Sequence, residues 1–291
     1  MKGMVLMRKI YTTILSLSLC FVFLFSTTAY AAAIDEAETN DSPSTAQLIQ
    51  ANNEDPSKII SGNYDGQNVV VGNITSTADE DWYKVYLPAN SDTILGINSS
   101  SLSGSSLFEV YDENLNLVRG VPYVSNSAYF GATPFYVNIP TSGYYYVKVS
   151  STLLTGEYRF YIGGPDYALN SYTYNATSAV TLTPTIKSVQ ATYDLTNITS
   201  IPRDAVVYYV SLQGTKVNNA TNQYRSIKVA GDSTWINTSS YTYVANVPAI
   251  SNKRVRNQWT FKLDGTVSTS TKYFNLTPQI KFSYIYPVLP Q

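Results

Sequence analysis

Histidine is absent from all 291 residues, and cysteine occurs once, at Cys20. Without histidine there is no Ser-His-Asp or Cys-His catalysis, and the usual zinc and copper ligand sets are missing. No glycine-rich loop leads into a helix in the way that cradles a phosphate. Charge is sparse, at 13% of residues. The one sustained apolar run, Ile14 to Phe25, falls short of the roughly 20 residues that span a bilayer. That run follows Lys2, Arg8 and Lys9 and precedes Ala29-Tyr30-Ala31. The order basic, apolar, small-x-small reads as a Sec-type secretory signal over residues 1–31. Cys20 lies within the run behind Leu19, which is too large for a lipoprotein signal. The expected mature chain is therefore secreted and extracellular, without a membrane span and without a disulfide.

Tyrosine is abundant instead, with 26 residues. Threonine, serine, asparagine and valine are also frequent, and short alternating segments are separated by turn residues, which predicts an all-β protein. The mature region is long enough for two medium domains. Strands are predicted near 68–74, 82–87, 92–98, 106–111, 115–119, 134–138, 144–150 and 157–162. A second series is predicted near 171–175, 178–182, 185–194, 205–212, 223–230, 240–246, 257–263 and 278–286. Ser42-Pro43 reads as an N-cap and first helical residue for a short helix over 43–49. Residues 52–67 read as loop, with Asp65-Gly66 and Asp264-Gly265 as turns. Gly163-Gly164-Pro165-Asp166 breaks the pattern. The expectation is two β-sandwich, jelly-roll-like domains in tandem, 34–163 and 171–291, joined by a linker over 164–170. Residues 32–164 hold 15 acids and 5 bases, whereas 165–291 hold 5 acids and 11 bases. The change of sign supports the division.

The most chemically pointed stretch is Gly72 to Tyr86, in which Asp79, Glu80 and Asp81 stand directly before Trp82. It is read together with the acidic arm Glu36-Ala-Glu38-Thr-Asn40-Asp41. Carboxylates this dense repel one another unless a cation sits among them, and hard ions such as calcium collect six to eight oxygens. A solvated turn with capping aspartates is the simpler alternative.

Glu38-Thr-Asn40-Asp41-Ser42, Thr45-Ala46, Gly72, Asp79-Glu-Asp81-Trp82-Tyr83, Gly143-Tyr-Tyr-Tyr-Val147 and Gly156-Glu-Tyr158 occur in order. In these motifs the segment 34–163 resembles the bacterial pre-peptidase C-terminal domain, a β-sandwich carried by secreted peptidases and related to the collagen-binding segments of bacterial collagenases. The resemblance implies calcium held by Glu36, Glu38, Asn40, Asp41, Asp79 and Asp81. Ala78 stands where some relatives carry a further acid, which points to one ion rather than two. It also implies a tyrosine-bearing sheet face as the binding surface, with Tyr144, Tyr146 and Tyr158 as candidates beside Phe160. Tyrosines on a sheet also serve simply as cross-strand partners. Lys253, Arg254 and Arg256 form a candidate basic patch for an anionic polymer, or a docking face for the acidic half. No nucleic-acid fold signature accompanies the patch, so nucleic acid is not a favoured partner.

The expectation is a secreted, non-catalytic, calcium-stabilised binding protein that engages extracellular matrix protein, cell-wall polymer or an exported partner. Two alternatives stay open. A carbohydrate-active enzyme needs only two carboxyls facing one another across a cleft. A purely structural surface or matrix component needs no ligand.

Overall fold

The computed structural model describes residues 33–62, 66–125 and 131–290. The predicted secretory signal lies outside the described residues, as does Asp65 of the predicted turn. The first ten strands are β1 (Ala33–Asp35), β2 (Gln47–Ile49), β3 (Val69–Ile74), β4 (Glu80–Leu87), β5 (Asn90–Asn98), β6 (Ser106–Tyr111), β7 (Leu117–Tyr123), β8 (Thr133–Ile139), β9 (Gly143–Ser151) and β10 (Gly156–Gly163). They form two sheets, β1-β3-β10-β5-β8 and β2-β4-β9-β6-β7. Alternation sends Tyr145, Val147 and Val149 of β9 inward, against Tyr158, Phe160 and Ile162 of β10. Both rows belong to one core shared by the two sheets.

The second set is β11 (Tyr167–Asn175), β12 (Val180–Leu182), β13 (Ser188–Asp194), β14 (Val206–Val217), β15 (Thr221–Val229), β16 (Ile236–Asn237), β17 (Val244–Asn246), β18 (Gln258–Thr266) and β19 (Phe274–Pro287). Its sheets are β11-β19-β14-β17, with β12 also on β19, and β13-β18-β15-β16. Trp259, Phe261 and Leu263 from β18 meet Phe274, Ile280 and Phe282 from β19 in a separate core. The chain is thus all-β, built as two sandwiches.

Four sequence expectations are corrected. Residues 43–49 are not a helix, because Ser42 Oγ bonds the Ser44 and Thr45 hydroxyls in a turn and β2 then pairs in parallel with β4. The helix instead lies in the predicted loop, as α1 (Pro56–Ile60), where Asp55 caps Ser57 N at 2.8 Å and Ile59 is buried. Asp264-Gly265 is no turn. Both residues continue β18, flanked by β13 and β15, and a side chain at Gly265 would press on Leu182. Finally, β11 begins at Tyr167, so the span between the sandwiches is shorter than 164–170.

Candidate metal centre

The acidic arm is seated by both sheets of the first sandwich. β1 pairs in parallel with β3, and Glu36 N continues the ladder to Val71 O at 2.9 Å. Four residues on, the Asn40 carbonyl accepts the Trp82 N–H at 2.9 Å, which pins the arm to the start of β4. Within β4, Asp81 shares the inward face with Tyr83, Val85 and Leu87, so its carboxyl is drawn into the end of the sandwich at 1% exposure. Asp79 is oriented by the preceding turn, its Oδ2 accepting Thr75 N at 2.6 Å and Thr75 Oγ1 at 2.7 Å.

This brings one carboxylate oxygen from each of Asp41, Asp79 and Asp81 within 4.8 Å of one another. Asp41 is exposed, Asp79 half-buried and Asp81 buried. Beside them, the buried Asn40 Oδ1 has no hydrogen-bond partner, although such an acceptor ordinarily has one. Burial pushes the Asp81 carboxyl up to about 8, with the Glu36 and Asp79 charges adding to the rise and a Tyr158 hydrogen bond opposing it. None of the described ion pairs involves these acids. Three converging carboxylates and an orphaned amide oxygen are the hard-oxygen donor set that calcium takes.

Glu36 stands behind this group rather than in it. Its Oε1 accepts Tyr83 OH at 3.0 Å, Tyr158 OH at 3.2 Å and Asn40 Nδ2 at 3.3 Å, while Oε2 accepts Asn73 N at 2.8 Å. It therefore orients Asn40 and the tyrosines. Glu38, an expected ligand, is exposed and is not brought into the acidic group. Its neighbour Thr39 turns through a positive φ of 81°, and the buried side chain is that of Asn40.

Tyr158 is also corrected. It is no surface residue but is fully buried, donating to Asp81 Oδ2 at 2.7 Å with Tyr83 OH at 2.6 Å. Burial pushes the Tyr83 and Tyr158 phenols upward, so both remain protonated donors. Tyr158 lies opposite Gly72, and a Cβ there would collide with its ring. Gly72 therefore lets the phenol reach Asp81. Phe160 is likewise core.

A face of tyrosines does exist on the outside of the sheet β2-β4-β9-β6-β7. Tyr86 is 54% exposed and Tyr144 40%, and they meet edge to face at 5.5 Å. Lys84 Nζ lies over the rings of Tyr144 and Tyr146, at 4.7 and 5.4 Å. Tyr146, nearly buried, abuts Trp82, which tilts against Tyr111. Exposed Leu48 is level with Lys84, and exposed Leu117 is level with Tyr111. Sequence reasoning missed Tyr86, Trp82 and Tyr111, although the alternation Trp82, Lys84, Tyr86 was the available signal.

The basic residues are tied down locally. Lys253 pairs with Asp232, Arg254 with Asp204 at 3.0 Å, and Arg256 Nε donates to Thr196 O at 3.1 Å. Each has a partner within its own sandwich, and Arg254 remains exposed.

No family model matches the chain, and no curated protein matches it significantly. Among solved structures, it is similar to a candidate secreted protein from Eubacterium rectale, with a TM-score of 0.55 and 11% identity over 89% of this chain and 86% of that one. This likeness shows the shared all-β fold. PNGase F, a glycosylasparaginase from Flavobacterium meningosepticum, aligns over 75% of this chain and 96% of its own at 7% identity, but its TM-score of 0.24 carries no argument. Among the described residues, no helix is long and apolar enough to cross a membrane.

Proposed function

We propose that this chain is an exported, non-catalytic binding protein. Its first sandwich is of pre-peptidase C-terminal type and is braced by one calcium ion at Asp41, Asp79, Asp81 and Asn40. The observation that carries the reading is the convergence of the three carboxylates beside the unpartnered Asn40 oxygen. An ion there would offset the burial that favours a proton on Asp81, together with the Glu36 and Asp79 charges that add to it. The binding surface is the outer aromatic face around Tyr86 and Tyr144. Its rings offer apolar area with polar tips at small entropic cost, which suits an extended matrix protein, a cell-wall polymer or an exported partner. The two-carboxylate enzyme is less favoured, because the acids of the arm and turn gather at one point instead of facing each other across a cleft.

The test is a pull-down on insoluble collagen, peptidoglycan and chitin, with calcium and with chelator, comparing wild type with Tyr86→Ala/Tyr144→Ala and with Asp79→Asn. Retention on one polymer that is lost in the double tyrosine variant, together with a calcium-dependent melting shift that is smaller in Asp79→Asn than in wild type, supports the reading. Equal retention by wild type and the tyrosine variant removes the surface. A melting curve indifferent to chelation removes the ion.

A further inference from the structure

A pair of carboxyls, Glu54 buried and Asp166 half-buried, stands where the chain passes between the sandwiches, and the site above makes no use of it. Glu54 immediately precedes the cap of α1, and Asp166 sits in the short span between β10 and β11. That span is firmly held. Asn52 bridges to Gly163, its Nδ2 donates to Gly164 O at 3.0 Å and Pro165 O at 3.3 Å, and Gly164 N returns a bond to Asn52 O at 2.8 Å. From the second sandwich, Val288 N donates to Asp166 O at 2.8 Å.

Glu54 is only 8% exposed, and neither of its carboxylate oxygens has a hydrogen-bond donor. Its charged neighbour is the Asp166 carboxylate. Two acceptors facing each other cannot bond unless a proton or a cation lies between them, and none of the described ion pairs supplies a lysine or arginine to either acid. Asp166 is aimed by Tyr167 N at 2.8 Å and Gln67 Nε2 at 3.4 Å, both onto Oδ1. A cavity of about 150 Å³ adjoins Asp166, lined also by the oxygen-bearing side chains of Asn52, Gln67, Asn98 and Tyr161 and by Arg159. Arg159 is already paired with Glu157 at 2.9 Å. Room for water beside the half-buried Asp166 carboxylate, whose charged neighbour Glu54 has no donor of its own, is what a partly hydrated hard cation requires.

We propose that Glu54 and Asp166 form a second cation site, for a hard divalent ion such as calcium, which locks the linking span and thereby the junction of the two sandwiches. Without the ion, the pair holds one proton between two oxygens. Binding expels that proton to solvent and leaves two carboxylates on the metal. The site shares no residue with the acidic arm and does not depend on the function proposed above.

The experiment counts calcium bound per chain at neutral pH by equilibrium dialysis, in wild type, Glu54→Gln, Asp166→Asn and Asp79→Asn, with near-ultraviolet circular dichroism confirming the fold of each. The expected result is one ion fewer in Glu54→Gln and in Asp166→Asn than in wild type, and a calcium-raised melting temperature in Asp79→Asn that the added Glu54→Gln change abolishes. Glu54→Gln removes a charge that no donor holds, so it is expected to fold. Asp166→Asn keeps an Oδ1 for its two donors and provides the second variant. If folded Glu54→Gln and Asp166→Asn both bind as many ions as wild type, the proposal is overturned. It is equally overturned if Asp79→Asn melts at a temperature set by pH alone and indifferent to calcium, since the pair then holds only a proton. Failure of the acidic-arm site reads differently, as an unchanged ion count in Asp79→Asn.

Discussion

The two sandwiches bury polar groups in opposite ways. In the first, Asp81 and Asn40 are drawn inward with the Asn40 Oδ1 left over, and the nearby Glu36, Asp41 and Asp79 add acceptors rather than cations. In the second, the buried charged group among the described residues is Arg225, and its own elements satisfy most of it. Nη1 donates to Leu212 O at 2.6 Å, Nη2 to Gln223 Oε1 at 3.3 Å, and the guanidinium lies 3.7 Å over the Tyr243 ring, leaving only Nε without a partner. Similar architectures thus differ in what they need from outside. The first has an excess of acceptors that an ion can fill, whereas the second leaves two donor groups, Arg225 Nε and Tyr193 OH, unpartnered and gathers no acceptors that call for an ion.

The largest test of this contrast is calcium withdrawal. An ion bound at 100 times its dissociation constant contributes about 2.7 kcal/mol. Calorimetry with and without chelator should show a downward shift in the transition of the first sandwich, while the second sandwich's own transition stays in place. Next comes Gly72→Ala, where the new methyl meets the Tyr158 ring; overpacking of this kind costs about 1–3 kcal/mol. Chemical denaturation should register that loss, and calcium dependence should weaken with it because Tyr158 no longer reaches Asp81.

A pH series sharpens the comparison further. The Asp81 carboxyl is raised to about 8 in the fold, from an unfolded value near 4. In chelator, its contribution is therefore fully present below pH 4 and is lost as the pH climbs through 8. Excess calcium should flatten or invert that slope, because the ion favours the deprotonated carboxyl. The smallest effects belong to the surface. Arg254→Ala breaks an exposed ion pair and should cost less than about 1 kcal/mol. Tyr86→Ala/Tyr144→Ala should likewise leave the melting temperature nearly unchanged while reducing polymer retention.

Much of this was legible in the chain. Alternation marks β4, β9, β14 and β18, and the sequence itself couples the acidic arm to the acidic turn. Local signals failed where two segments carried the same one. Ser42-Pro43 and Asp55-Pro56 both look like a cap and first turn, yet only the second starts a helix, because β2 finds a parallel partner in β4. The inward turn of Tyr158 was legible as well. Glu157 and Arg159 alternate with Tyr158 and Phe160, and that order already turns the aromatic pair inward. What no periodicity could reveal was the backbone bond from Trp82 N to Asn40 O, or the meeting of Glu54 with Asp166 across more than a hundred residues.

β1 and β2 each add to an edge, one on either sheet of the same sandwich, and each pairs only with the strand beside it. The leading arm is in effect a clasp fastened across both layers. It has nothing to grip until β3 and β4 are in place, so the acidic pocket exists only once both are paired with it. Trimming the arm would uncover β3 and β4 together, giving two fresh edges open to pairing with another chain.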